Sequence, residues 1–315
     1  MPREHAGLVW KDRWTRYREN VRPADVFMLL WQSIFLCFEA ETMHQWRFGE
    51  AMVWFIGIII ALCLVAPALQ ARVGARWADT ARLVAACLSS VASYEQANMV
   101  LQHYGFVDQT PLVAALDLQI FGGHASVAAQ AFAVPWFVEL LQITYMVHIV
   151  PIFVVGSSLI LRGRHVEYSA LLFQLLCAVF LVAAGYALIP VQSPCYVEGA
   201  AYARELGLVY AEPLQGLWWT DDLRARLLAA TDLRHDCMPS GHTTITLLPA
   251  VWAWRRWRRL ATPLTVFTGL TMLATLVLRY HWLIDLVAAW ALVLALQPVL
   301  GMVERGVRSQ ENAKA

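Results

Sequence analysis

Long apolar runs separated by short polar turns set the pattern of this chain of 315 residues. Runs near 51–70, 81–101, 136–161, 167–190, 241–257, 262–279 and 282–301 each approach the roughly 17–25 residues a helix needs to cross a bilayer. A further run, 24–41, is short and carries Glu39 and Glu41 at its far end. It is either a first span or an interfacial helix. Counting it gives about eight spans with both termini on one side. The pattern predicts an all-α fold, a polytopic membrane helix bundle. A basic segment (1–23) precedes the membrane-embedded region (24–303), and a polar tail (304–315) follows it. Two long loops interrupt the bundle. Residues 102–134 contain no Lys or Arg and are broken by Pro111 and Gly122-Gly123, which suits an amphipathic or re-entrant piece. Residues 191–239 form the longest polar stretch and are rich in acids.

Composition excludes a soluble domain: 59% of residues are hydrophobic, 15% are charged, and the mean hydropathy is +0.52. The net charge of +1 says little, whereas the placement of basic residues says more. The amino terminus, the 71–82 and 162–165 turns, the Arg255–Arg259 cluster and the tail hold 18 Lys and Arg, against five in 42–50, 102–134 and 191–239. Basic residues favour the cytoplasmic side, so both termini are expected inside and both long loops outside. This asymmetry is the reason to treat 24–41 as a span, since otherwise six basic residues would be left outside. No glycine-rich nucleotide loop and no zinc-type Cys/His spacing is present, so no cofactor and no metal is expected. Nothing points to nucleic acid.

Candidate chemistry concentrates between Asp236 and Asp285. His242 and His281 are separated by two apolar segments with an arginine cluster between them. A chain that crosses twice returns to the face it left, so the two histidines are expected at one membrane surface. In Pro239-Ser240-Gly241-His242 a turn leads into a helix whose first N–H groups lack intrahelical partners. With a serine cap and a glycine allowing close approach, such an end suits an anion. Asp285 lies one helical turn after His281 and can hold one ring nitrogen. An oriented imidazole beside an anion site suits attack at phosphorus, with the second histidine as proton donor. Each half alone is also read as an ordinary helix cap or a satisfied interfacial histidine.

Pro239-Ser240-Gly241-His242-Thr243, followed by Arg279-Tyr280-His281-x-x-x-Asp285, resembles the type-2 phosphatidic acid phosphatase superfamily of lipid phosphatases and phosphotransferases. The resemblance covers the second half of the chain and implies a six-helix catalytic core. It implies His281 as nucleophile, His242 as acid and base, and Asp285 as the group orienting His281. Ser240 and the N–H groups around Gly241 would bind the phosphoryl oxygens. Apart from the resemblance, Arg279 beside His281 is read either as a phosphate contact or as an interfacial arginine snorkelling past a helix end. Two departures stand out. The superfamily's phosphatases carry a KxxxxxxRP motif; here the one partial match, Lys11 to Arg18, is followed by Glu19 and lies far from the site. They also place an arginine six residues before the second histidine, where this chain has Thr275. Both departures are more similar to the inositol-phosphorylceramide and sphingomyelin synthase branch, which moves a phospho-headgroup between lipids. The implied partners are a membrane lipid phosphate donor and a lipid or water acceptor. A lipid phosphate phosphatase is the alternative, and a non-catalytic lipid transporter is the alternative of another class.

Other polar residues fall inside predicted spans. Glu95, Asn98 and Gln102 are expected to share one face, and Glu139, Gln142 and Tyr145 another, with His148 deeper. Two readings fit Glu95 and Glu139: a headgroup pocket, or hydrogen bonds that join helices. For His148, structural satisfaction competes with a substrate role. Arg234 and His235 are weaker phosphate contacts. Cys195 and Cys237 are the two cysteines outside predicted spans, in the same loop, and form either a disulfide or two free thiols.

Overall fold

In the computed structural model, which describes residues 12–42, 49–198, 200–230 and 235–312, the apolar runs are helices and no strand is present among the described residues. The helices are α1 (Pro23–Thr42), α2 (Gly49–Val73), α3 (Ala75–Tyr104), α4 (Thr110–Phe121), α5 (Ala125–Ala129), α6 (Pro135–Met146), α7 (Val150–Leu161) and α8 (His165–Leu188). After a loop with short helices α9 (Pro194–Val197) and α10 (Ala201–Glu205) come α11 (Thr220–Ala230), α12 (Gly241–Arg256), α13 (Arg258–Val277), α14 (Leu283–Ala295) and α15 (Gln297–Asn312). Residues 1–11, Arg47 and Arg234 lie outside the described residues, as do the side chains of Glu39 and Glu41.

The all-α membrane architecture holds. Among the described residues, four helices are long and apolar enough to cross a bilayer, or up to six if each of two bent pairs is one span, against the eight expected. The differences have local causes. The predicted span at 81–101 is helical within α3, but Ser89, Ser90, Ser93, Glu95, Gln96 and Asn98 lower its hydropathy. Among the described side chains, α1 gives the apolar stretch Pro23–Cys37, shorter than a span. α12 stops after 16 residues at Arg256. The 136–161 run is broken at 147–149, just before Pro151, whose ring cannot donate a backbone hydrogen bond. The 102–134 loop is the other bent pair: α4 and the helical segment from Ala125 to Phe132 meet at 70°, with Gly122 at φ 72° making the turn.

The chain forms two units. The first takes in residues up to Ser93, Phe153–Cys177 and the segment from Leu296. There α1 packs on α2. The Arg82 guanidinium is buried between Asp25, at 2.8 Å, and Asp79, at 2.9 Å. Asp79 also accepts from His165 Nδ1 at 2.7 Å. A buried charge of this kind persists only where it is paired. Arg82, expected at the end of a basic turn, lies inside α3 and is buried in this unit by its ion pairs.

The second unit comprises Tyr94–Ile152 and Ala178–Ala295 and contains both candidate histidines. α12 packs along α13 and against α14, and α13 packs on α6. Thr268 on α13 donates to the Thr246 carbonyl of α12 at 2.9 Å, so the two helices are joined by a polar bond as well as by apolar contact. The loop after α8 is tied back to the strand-like segment before α12. Val191 N donates to the His235 carbonyl at 3.4 Å and Cys237 N to the Val191 carbonyl at 3.2 Å.

Candidate active site

Two helix starts build the site. Ser240 is the N-cap of α12: its φ and ψ are −64° and 110°, and its Oγ accepts from Thr243 N at 3.3 Å. This is the capping geometry the Ser-Gly-His sequence predicts. Close packing explains the glycines. A Cβ on Gly241 would lie 2.8 Å from the Tyr186 hydroxyl, and one on Gly185 would collide with the Pro239 ring. The end of α8 is therefore pressed against the turn that carries His242. That leaves the space before Gly241 filled by Tyr186 rather than open.

The second start follows from how α13 ends. Arg279 adopts φ 63°, Arg279 N donates to Leu276 O at 3.1 Å, and Tyr280 N donates to Thr275 O at 2.8 Å. This is a Schellman-type end with arginine at the left-handed position that glycine usually takes. His281 N donates to the same Thr275 carbonyl at 3.1 Å, so the imidazole is held directly after the reversal. Thr275, at the position where the resemblance implies an arginine, is part of this helix end; its Oγ1 donates to Met272 O at 2.7 Å.

Asp285 joins the two starts. Its Oδ2 accepts from Trp282 N at 2.8 Å and from Cys237 Sγ at 2.9 Å, and lies 3.3 Å from His281 Nδ1. Its backbone carbonyl accepts from Ser240 N at 3.2 Å. With Nδ1 facing the carboxylate, His281 keeps Nε2 for a reacting atom. The His242 and His281 ring centroids are 6.1 Å apart. Tyr145 stacks on His242 at 3.9 Å, His148 packs on it at 4.1 Å, and Tyr280 adjoins Tyr145 at 4.5 Å. The site is thus an aromatic box around His242 with His281 at its edge. Tyr280 also donates to Gln142 Oε1 at 3.1 Å, fixing the box to α6. In the adjoining loop, burial pushes the Asp236 carboxyl up to about 6, opposed in part by His281. Burial and then the nearby Asp285 raise the Cys237 thiol well above its ordinary value.

The remaining sequence candidates divide. Tyr145 and His148 reach His242, although His148 Nδ1 is occupied by the Tyr145 carbonyl at 2.9 Å. Glu139 does not face the box. Its Oε2 accepts from Leu217 N at 3.0 Å and Trp218 N at 3.4 Å, so it fixes the loop before α11. Glu95 and Gln102 are exposed on α3 while Asn98 is buried, so the three do not act as one inward face. Arg279 is taken up elsewhere. Its Nη1 holds both Glu198 oxygens at 2.8 Å, its Nη2 donates to Glu212 O at 2.8 Å, and its guanidinium covers the Tyr210 ring at 3.7 Å. His235 is near Asp108, at 3.6 Å. Cys195 and Cys237 are free thiols, and Cys237 Sγ faces Asp285 and His281. The tie expected of a disulfide is made instead by the backbone pairing of Val191 with His235 and Cys237. Tyr186 is the neighbour of the site that sequence reasoning missed, and no local signal marks it, because it reaches the site from a distant part of the chain. Cys237, three residues before Ser240, was singled out only as a disulfide candidate and not as a neighbour of Asp285 and His281.

A family model described as the PAP2 superfamily matches residues 112–299, more than half of the chain. No curated protein and no solved structure matches it.

Proposed function

The chain belongs to the PAP2 superfamily, and on that premise we propose that it is a membrane lipid phosphotransferase working through a covalent histidine intermediate. The observation that carries the reading is the placing of His242 and His281 at two adjoining helix starts, 6.1 Å apart, with Asp285 on His281 Nδ1. His281 Nε2 attacks phosphorus and forms an N–P bond as the bond to the departing alcohol oxygen breaks. His242 gives that oxygen its proton. In the second half His242 takes the proton of the incoming hydroxyl, whose oxygen bonds to phosphorus and releases His281. Asp285 holds the imidazole in the tautomer that leaves Nε2 free and steadies the positive charge it gains. The dipole of α12 adds partial positive charge at the helix end that carries His242. This mechanism uses no metal and no cofactor.

Transfer of a phospho-headgroup, as in the inositol-phosphorylceramide and sphingomyelin synthase branch, is favoured over hydrolysis of a phosphomonoester by the charge of the site. A phosphodiester carries one negative charge and a monoester close to two. Arg279 is neutralised by Glu198, and Thr275 stands where the phosphatases keep an arginine. Arg224, 5.8 Å from the Tyr280 ring centroid, is a cation beside the aromatic box. The basic-residue asymmetry supports a reaction on the extracytoplasmic face with both termini inside. The test is a donor panel of phosphatidic acid, polyprenyl pyrophosphate and phosphatidylinositol, each with and without diacylglycerol or ceramide. Headgroup exchange that needs the acceptor is expected with phosphatidylinositol. Release of free phosphate from the monoester or pyrophosphate, independent of acceptor, would instead make the enzyme a phosphatase.

A further inference from the structure

The cluster around His281 has a composition that phosphoryl transfer does not call for. Cys237 Sγ, His281 Nδ1 and one Asp285 oxygen all lie within 4.8 Å of one another, and all three residues are buried. The separations are 2.9 Å for sulfur to oxygen, 3.3 Å for sulfur to nitrogen and 3.3 Å for nitrogen to oxygen. Ligands on a tetrahedral zinc, with bonds of about 2.0–2.3 Å, sit about 3.3–3.6 Å apart. Two of the three edges already have nearly that length, and the third needs to open by about half an ångström. The second oxygen, Asp285 Oδ1, is buried without a hydrogen-bond partner among the described residues. An unsatisfied buried carboxylate oxygen is costly, and a cation held by both oxygens of Asp285 would satisfy it. Thiolate, imidazole and carboxylate together select a borderline-soft ion such as Zn²⁺ over Mg²⁺ or Ca²⁺.

We propose that Cys237, His281 and Asp285 form an inhibitory binding site for a thiophilic divalent cation of the zinc type. The inference rests on the reading of His281 as nucleophile for its effect on turnover, but not for binding itself. Two proton movements accompany binding. The Cys237 thiol releases its proton to solvent as the sulfur–metal bond forms. The metal takes the Nδ1 lone pair of His281, so the proton that faced Asp285 is transferred to Nε2. The imidazole stays neutral overall, but its nucleophilic nitrogen is now protonated and has no lone pair to give. Zinc would thus stop the reaction at the atom that starts it, without touching the space a lipid occupies.

The test uses the full chain in lipid nanodiscs, titrated with Co²⁺ as a coloured stand-in for zinc. A sulfur-to-cobalt charge-transfer absorption is expected, saturating at one equivalent per chain and bleached when Zn²⁺ is added. It should be lost in both Cys237→Ser and Cys237→Ala and kept in Cys195→Ser, each variant being accepted only if it elutes as the wild type does. Zinc should also raise the melting temperature of the wild type, a reading that needs no variant. Absence of the band, or its survival without Cys237, would overturn the proposal. In the same preparation, Zn²⁺ should lower wild-type turnover at least tenfold, with recovery on EDTA. A cobalt band with turnover unaffected would leave the metal site standing and contradict the assignment of His281 as nucleophile.

Discussion

Replacing Asp285 by Asn tests the orienting role in a way that burial and volume cannot mimic. The side chains are nearly isosteric, and Trp282 N at 2.8 Å, Cys237 Sγ at 2.9 Å and His281 Nδ1 at 3.3 Å all meet the one oxygen, Oδ2, while Oδ1 has no partner among the described residues. With the amide oxygen in the Oδ2 place these bonds survive, but the negative charge that steadies the imidazolium is gone. With the NH₂ in that place the Trp282 bond is lost and the NH₂ faces His281, toward which it can only donate. Nδ1 must then become the acceptor, and the imidazole proton moves to Nε2, the nitrogen needed for attack. An analogous change of tautomer behind a catalytic histidine lowers turnover by about 10⁴-fold, or roughly 5.5 kcal/mol at about 1.4 kcal/mol per factor of ten. Binding does not depend on this proton, so the loss should fall on kcat and leave KM within a few-fold. Steady-state exchange of a fluorescent lipid, wild type against Asp285→Asn, measures both. A fall of less than tenfold, or one confined to KM, would refute the role given to Asp285.

Gly241→Ala should cost about 1–3 kcal/mol of stability, because the added methyl meets the Tyr186 hydroxyl at 2.8 Å; thermal denaturation checks it, and Tyr186→Phe in the same chain should recover part of the loss. Asp236, held up to about 6 by burial against an unfolded value near 3.8, should make the fold less stable as pH rises from about 4 through 6, by up to about 3 kcal/mol. Asp236→Asn should flatten that slope, and melting temperatures across pH 4–8 would show it. For orientation, a cysteine replacing Glu205 should react with an impermeant maleimide on intact cells, whereas one replacing Arg256 should react only after permeabilisation. Turnover should persist in EDTA.

Much of the site was legible because its chemistry is local. Ser240 caps its own helix at Thr243, and Asp285 reaches His281 across one turn, so spacing alone places both pairs. Tyr145 was placed near the headgroup on its helix, but its stacking on His242 joins residues 97 positions apart and left no trace in spacing. Arg279 shows the limit of reasoning from charge. A cation two residues from His281 suggests a phosphate contact, yet Glu198, 81 positions away, takes its charge. Glu139 shows the same limit for a carboxylate, since its partners are backbone N–H groups of a loop that carry no sequence signature. The membrane pattern survived as architecture rather than as count. Window hydropathy sees the polar face of α3 and the break before α7, but not which neighbours cover them.

The central claim is a covalent bond between His281 and phosphorus. Wild-type protein mixed with donor lipid labelled at phosphorus, and quenched with base within the first turnover, should carry the label on the peptide that contains His281. His281→Ala should carry none and should not turn over. Label on another residue, or turnover retained in His281→Ala, would contradict the account.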